Sequence, residues 1–375
     1  MSVADAVTAR GMSQRIDRAL PGIQQNFFNQ NALLKIIQQK GNIKWKGSHT
    51  EFDWYIRKEP ASSDNPDWGG GELGIRTFEE VDPANKATLP YCWLEKTYGV
   101  SDKTLEANRH SMGRQKIYDS LKENLNIAKI SLYNTYGPSI YTGSGTSNQP
   151  TGIIKALGSP LETSSSGAVT AGQTYAGRTL NTSAITTYQP EKAGWDDPQF
   201  APEVIGLHEV PGVSSSPKWT ADCLIALAYM ADEMAVTADI SGTGEQQKPD
   251  LAIMNRDPFN ALKAKLIGHQ QYSIPVGNQE LLLAGWANIQ VDTLTCIKDN
   301  NVTDDSNTTA LERVIILDSK QLHIATTHTK KEGLIINEFE ADNPLVSGAY
   351  GVLRMNLAFI LSSPTAIGCI VGCND

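Results

Sequence analysis

The stretch that decides the fold reads SDKTLEANRHSMGRQKIYDSLKENLNIAKISLYNTYGPSIYTGSGTSNQPTG, residues 101–152. Ser101 reads as a helix cap, its hydroxyl accepting from a free backbone N–H two or three residues on. Beyond it only Gly113 interrupts a run without glycine or proline, until Gly137-Pro138 stops the helix after Tyr136. Tyr118, Leu121, Leu125, Ala128 and Leu132 recur at spacings of three and four, an apolar stripe down one helical face. Roughly 35 residues at about 1.5 Å each make a rod on the order of 50 Å long, well beyond the usual globular helix. Gly143, Gly145, Pro150 and Gly152 then form a compact turn. A phosphate-binding loop needs Gly-Lys-Ser/Thr after a strand, and the third glycine of a dinucleotide fingerprint would fall at Asn148. The turn is therefore read as structural, using glycine for its backbone freedom.

N-terminal to the rod, residues 1–22 are polar and end in Leu20-Pro21-Gly22, a break signal. Ile23 to Lys40 reads as an amphipathic helix with Phe27, Leu33, Leu34, Ile36 and Ile37 as apolar members and Gly41 as its stop. Such an arm either folds back on its own domain or docks on another subunit. From Ile43 to Glu95 the pattern becomes strands: Ile43 and Trp45, then Phe52, Trp54 and Ile56, alternate with Lys44, Lys46, Asp53, Tyr55 and Arg57. A tip of Pro60, Asp64, Pro66, Asp67, Trp68 and Gly69 to Gly71 leads to a return run over Ala87–Leu94. Two strands of about ten residues make a hairpin on the order of 30 Å long. It packs either on its own domain or on a neighbour, and its four tryptophans (Trp45, Trp54, Trp68, Trp93) favour a neighbour, since aromatic residues concentrate at interfaces. Lys44, Lys46, Arg57 and Lys58 on the way out face Glu72, Glu79, Glu80 and Asp82 beyond the tip, charges that either set register between neighbours or stay solvated.

C-terminal to the rod, residues 158–217 are rich in Ser, Thr, Gly and Pro without a sustained period, and read as a surface excursion of loops. Thr220 to Thr237 reads as a helix with Leu224, Leu227, Ala228, Ala231 and Met234 on its apolar face. A strand at Leu251–Met254 and a helix at Phe259–Ile267 follow. The last third offers strands at Glu280–Leu283, Ala287–Leu294, Arg313–Asp318, Leu322–Thr327, Leu334–Glu338, Tyr350–Leu361 and Ala366–Val371. Helices and mostly antiparallel strands segregated along the chain make the class α+β.

The 375 residues carry a net charge of −9, against a general nucleic-acid-binding surface, which neutralises phosphates with clustered Lys and Arg. No run approaches about 18 consecutive apolar residues, which argues against a membrane helix. Met1 to Asp5 lacks the basic and apolar blocks of a secretion signal. Five widely spaced cysteines (Cys92, Cys223, Cys296, Cys369, Cys373) argue for reduced thiols in a cytoplasm. Signals for catalysis are wanting. His323 and His328 fall on opposite faces of a strand, and Cys369 and Cys373 would be roughly 13 Å apart, so neither pair reads as a metal site. The carboxylate pairs Glu79-Glu80, Asp196-Asp197 and Asp304-Asp305 lie in turn-like contexts with no sign of a pocket. No catalytic residue, cofactor or metal is expected.

The order of parts resembles the major capsid proteins of tailed bacteriophages, with the Hong Kong 97 fold. Tyr141 to Ile154 is similar to that family's Gly-x-Gly…Pro-x-Gly-(Ile/Leu) stretch after its spine helix. Pro249-Asp250-Leu251-Ala252-Ile253-Met254-Asn255 is similar to its axial-domain strand, and Asn343-Pro344 with Tyr350–Pro364 to its closing strands. The resemblance implies an N-terminal arm over 1–40 and an extended loop over 41–97. It implies a peripheral domain over 98–150 and 335–365 and an axial domain over 151–334 and 366–375. The implied function is a subunit that self-assembles, as hexamers and pentamers, into an icosahedral shell around phage double-stranded DNA. The shell would be built in the host bacterial cytoplasm, without sequence-specific DNA binding and without a membrane. Scaffolding, portal and decoration proteins are the implied partners; only about 40 residues precede the loop, which implies a separate scaffolding protein or none. Phe27, Phe28, Trp45, Trp54, Arg57, Lys58, Trp68, Glu79 and Glu80 would form the assembly interface, and Gly143, Gly145, Pro150 and Gly152 the interdomain turn. Lys44, Lys46 and Lys58 are possible donors for the isopeptide link made by the family's best-known member, with no motif to support it. The alternatives are an encapsulin-like shell around protein cargo and a soluble enzyme with a β-rich domain.

Overall fold

Asn31 opens the described chain as a helix cap, with extended backbone and a side-chain oxygen that accepts from Leu33 N at 2.9 Å. A computed structural model of the chain describes residues 31–45, 50–57, 84–101, 103, 111–146, 148–163, 166–189, 192–235, 248–269, 288–302, 313–330, 334–340 and 348–373. The elements begin with α1 (Ala32–Lys40), β1 (Ile43–Trp45), β2 (Glu51–Arg57), β3 (Ala84–Pro90), β4 (Cys92–Ser101), α2 (Ser111–Thr142) and the one-turn α3 (Ile153–Ala156). There follow β5 (Pro160–Thr163), β6 (Ser166–Val169), β7 (Thr174–Tyr175), β8 (Arg178–Thr179), β9 (Glu203–Gly206), α4 (Trp219–Glu233), β10 (Leu251–Met254) and α5 (Arg256–His269). The chain closes through β11 (Asn288–Val291), β12 (Leu294–Lys298), β13 (Val314–Leu317), β14 (Leu322–Thr326), β15 (Ile335–Glu340), β16 (Gly348–Leu361) and β17 (Ile367–Val371).

Two sheets organise these elements. In one, β1, β14, β16 and β15 follow in order, and β4 runs antiparallel along the opposite edge of β16 from Gly348↔Ser101 to Leu357↔Cys92. In the other the order is β11-β12-β10-β13-β17-β9, with parallel pairing at β10/β12 and β17/β9 and antiparallel pairing elsewhere. Strand alternation splits the second sheet between two cores. Leu251, Ile253, Ile315, Leu317, Ile367 and Cys369 face the core shared with α2 and the first sheet. Ala252, Met254, Val314, Ile316, Cys296 and Ile370 face α4 and α5. The mixed α+β class stands.

Helix α2 departs from the sequence expectation at its C-terminal end; residues 102 and 104–110 lie outside the described set. Ser101 is the last residue of β4, in register with Gly348. The helix runs through Pro138 to Thr142. Proline withholds the N–H that would bond the Asn134 carbonyl, a cost of about 3 kcal/mol in an isolated helix. Burial of Tyr136, Ile140 and Tyr141, each at most 1% exposed, overrides it. Thr135 and Thr142 hydroxyls bond back to the Ser131 and Pro138 carbonyls at 2.9 and 3.2 Å, easing the turn around the proline. Leu121, Leu125, Ala128 and Leu132 are all buried, as their spacing predicts. The stripe lies against β4, where Asn124 Nδ2 donates to the Gly99 carbonyl at 2.7 Å.

Four further expectations change. Helix α1 starts at Ala32, because Asn31 is extended, so no helix runs unbroken from Ile23; residues 1–30 lie outside the described set. The segment 158–217 is no surface excursion: Leu180 and Phe200 are fully buried, Tyr175 and Trp195 nearly so, and β9 closes the six-stranded sheet. Single large side chains between turns do this without a period. Glu209 fastens the segment by accepting from Gly167 N, Tyr188 N and Gly206 N at 2.9, 2.7 and 2.8 Å. On α4 the buried face is Trp219, Cys223, Ala226, Leu227, Met230 and Met234, while Ala228 is exposed. The run 287–294 folds as parts of two strands joined at Asp292, whose φ of 52° makes the hairpin turn.

Candidate assembly interface

The expected outgoing strand is two strands in two sheets. β1 joins the five-stranded sheet parallel to β14, with Lys44 opposite Ala325, whereas β2 pairs with β3 from Glu51↔Pro90 to Arg57↔Ala84. The return run also divides, at Tyr91, because Pro90 cannot donate to continue the ladder. What results is a hairpin root of seven residues on each side, not about ten. The tip, residues 58–83, lies outside the described residues, and Lys58, Trp68, Glu79 and Glu80 lie there; Phe27 and Phe28 lie outside them too.

The root is fastened to its own chain. Phe52, Ala87 and Leu89 are at most 3% exposed, and Trp54 donates its Nε1–H to the Ser362 carbonyl at 2.8 Å. Thr88 N bonds the Ala176 carbonyl at 3.0 Å, tying β3 to the turn after β7. Trp45 in β1 and Trp54 in β2 are half-buried against the core shared by the two sheets. Arg57 ends β2 in register with Ala84. The side facing away from the sheet carries Tyr55, 71% exposed, and an Asp53–Lys86 pair at 3.5 Å. That pair contributes well under about 1 kcal/mol at such exposure.

The glycine turn closes the end of α2. Gly143 N donates to Ser139 O at 2.9 Å, and Gly152 N donates to Gly143 O at 2.9 Å, with a bridge between Ser144 and Thr151. A Cβ on Gly143 would sit 2.1 Å from the Pro150 carbonyl oxygen, and one on Gly152 2.5 Å from that of Tyr141. Gly145 alone of the three has a left-handed φ, 72°. Close approach, more than backbone freedom, is why glycines stand here.

Just before the turn, Tyr141 leads to the junction of the two sheets. Its Oη donates to Asp299 at 2.7 Å, just after β12, and Asn301 donates to the same carboxylate from N and Nδ2, both at 2.9 Å. Asn31 Nδ2 reaches the Gly137 carbonyl at 3.4 Å. The first turn of α1, the end of α2 and the six-stranded sheet therefore meet at one buried carboxylate. Burial raises its pKa above the usual carboxylate range, and the donated hydrogen bonds pull the other way without cancelling the shift.

Other groups singled out in the sequence settle into structural places. Asp196 accepts from Thr182 Oγ1 at 3.1 Å and Asp197 pairs with Arg178 at 2.6 Å. All five cysteines are buried free thiols, and burial pushes Cys92 and Cys296 up to about 12. Among the described residues no group of three His, Cys, Asp or Glu is placed to hold a metal ion, and no helix is long and apolar enough to cross a membrane. Sequence reasoning missed exposed apolar side chains on the helices: Ile127 and Ile130 on α2, both 55% exposed, and Ile225 on α4 and Ile267 on α5. Ile127 and Ile130 lie off the stripe that contains Leu121, Leu125, Ala128 and Leu132, which was the signal for them.

No protein-family model matches the sequence, and no curated protein matches it. Among solved structures, the chain is similar to the capsid of cyanophage A-1(L), at 13% identity over 90% of this chain and 93% of that one, with a TM-score of 0.53. It is similar to the capsid of cyanophage P-SCSP1u at 11% identity over 89% and 86% of the two chains, with a TM-score of 0.50. An encapsulin of Synechococcus elongatus matches at 7% identity over 90% and 87%, with a TM-score of 0.49. At such identities the likeness is one of fold. The fold is that of tailed-phage capsid proteins, the Hong Kong 97 fold.

Proposed function

We propose that this chain is a structural subunit that assembles with copies of itself into an icosahedral shell around the double-stranded DNA of a tailed phage. The observation that carries the reading is the fold shared with two cyanophage capsids over nine-tenths of the chain. In this reading α2 with the five-stranded sheet is the peripheral body and the six-stranded sheet with α4 and α5 the axial body. β14, inside the span 151–334, crosses back to pair in the peripheral sheet. The hairpin belongs to the extended loop over 41–97, and residues 1–40 form the N-terminal arm, of which α1 is buried on its own chain. Phe27, Phe28, Arg57, Lys58, Trp68, Glu79 and Glu80 are its contacts with neighbours, with Trp45 and Trp54 holding the root. The turn at Gly143, Gly145, Pro150 and Gly152 is the joint between the two bodies.

The role is structural, with no catalytic residue or cofactor, and its place is the virion capsid, assembled in the host cytoplasm. Portal, scaffolding and decoration proteins are the remaining partners. A net charge of −9 keeps packed DNA from adhering to the inner wall. The test is to express the protein alone, sediment it and image the pellet by negative stain. Closed or irregular shells support the reading; a stable monomer with a bound small molecule overturns it. Protein cargo in place of nuclease-protected DNA, in particles from the native source, would turn the reading to an encapsulin-like shell.

A further inference from the structure

The hairpin root rests on the face of the five-stranded sheet that carries His323. Lys44 stands opposite Ala325 of β14, and alternation along β14 puts His323 on that same face. Lys44 Nζ lies 5.4 Å from the centre of the Phe52 ring, so Phe52 of β2 covers this corner. Phe52 and its cross-strand partner Leu89 are each 3% exposed, and a two-stranded ribbon cannot bury both by itself. Trp54 fixes the same side of the hairpin to Ser362, just past β16, whose Ile360 stands opposite His323. His323 is half-buried, and its Nδ1 has no hydrogen-bond partner.

We propose that His323 is an acid-sensitive latch for the hairpin: its protonation sets a second cation beside Lys44 beneath β2 and β3 and releases them from the sheet. Among the described residues, the surrounding elements present these groups. β16 offers Ile360, and the hairpin offers Phe52 and Leu89, its Asp53 and Lys86 being paired with each other on the solvent side. The turn before β14 carries Asp318, which accepts from Lys320 N at 2.9 Å, and Lys320 itself. α1, which also packs near β14, carries Lys35, which donates to Gln38, and Lys40, which pairs with Asp250 at 3.7 Å. Burial first and Lys44 second hold the imidazole down to about 4.

A released hairpin exposes His323 and returns its pKa to about 6.5. The released form then binds the proton first, so docking is intact above about 6.5 and weakens as the pH falls toward the docked value. With a docked value of about 4, docking is about 30-fold weaker at pH 5 than at pH 7.5.

Hydrogen–deuterium exchange of the full chain, corrected for intrinsic rates, tests this. Residues 51–57 and 84–90 should lose about 30-fold in protection from pH 7.5 to pH 5, while β13 and β17 keep theirs. His323→Gln should remove the step, and His323→Lys should show the loss already at pH 7.5. Unchanged protection of the wild-type root at pH 5 overturns the latch, and so does an equal step in His323→Gln. The wild-type arm decides even where a variant fails to fold.

Discussion

Gly143 shows what a single residue has to satisfy in this chain. Its backbone is hemmed by two carbonyl oxygens, from Pro150 and Ser139, at 2.1 and 2.5 Å from where a Cβ would stand. Gly172 has a left-handed φ of 72°, but a Cβ there would meet nothing within 4 Å. Gly172→Ala is therefore expected to cost about 1 kcal/mol of stability from backbone strain, and Gly143→Ala at least about 3 because backbone must move. Urea midpoints of the two variants check the contrast, and equal costs would contradict it. Asp299 offers a second case. A carboxyl whose folded pKa is raised contributes stability below its unfolded pKa, near about 4, and loses that contribution as pH rises through the folded value. Asp299→Asn does not titrate, so the wild type should gain on the variant as the pH falls from neutral toward about 4. A wild type that loses ground over that range would show the carboxylate to be stabilised by Tyr141 and Asn301 instead.

At the scale of elements, what could be read from the sequence depended on how each element is held. β10, β13 and β17 are apolar runs sunk between two cores, β14 and β16 are apolar runs within one, and the positions of all five were legible to within a residue or two. The stripe of α2 was legible for the same reason. Its C-terminal end was not, since Pro138 is carried by tertiary burial. The segment 158–217 was misread because Tyr175, Trp195 and Phe200 bury singly, leaving no period to detect. The hairpin was legible as a hairpin, but not its division into a fastened root and a tip. That division yields a prediction: removing residues 60–85 takes away most of the tip and the first two residues of β3 while sparing Phe52, Trp54, Ala87 and Leu89. The truncated chain should keep a cooperative unfolding transition and stop forming closed particles in electron micrographs. Loss of the transition itself would mean that the hairpin is part of the chain's own core and no more.

At the scale of the whole molecule, two sheets share one core, with α2 laid along the first and anchored to the second through Tyr141 and Asp299. The order of parts was legible in the sequence, because a long helix followed by a glycine turn and a strand-rich remainder constrains the architecture. The contacts proposed between copies were legible only as residue types, since the charges and aromatics named for them fall mostly within 1–30 and 58–83, outside the described residues. The central claim is self-assembly, and mass measures it most directly. Sedimentation velocity of the purified full chain is predicted to show particles at or above about 2.4 MDa, the mass of sixty copies of a 40.7 kDa subunit, the least an icosahedral shell can hold. A single boundary at 40.7 kDa across assembly conditions, with no particle fraction, would contradict it.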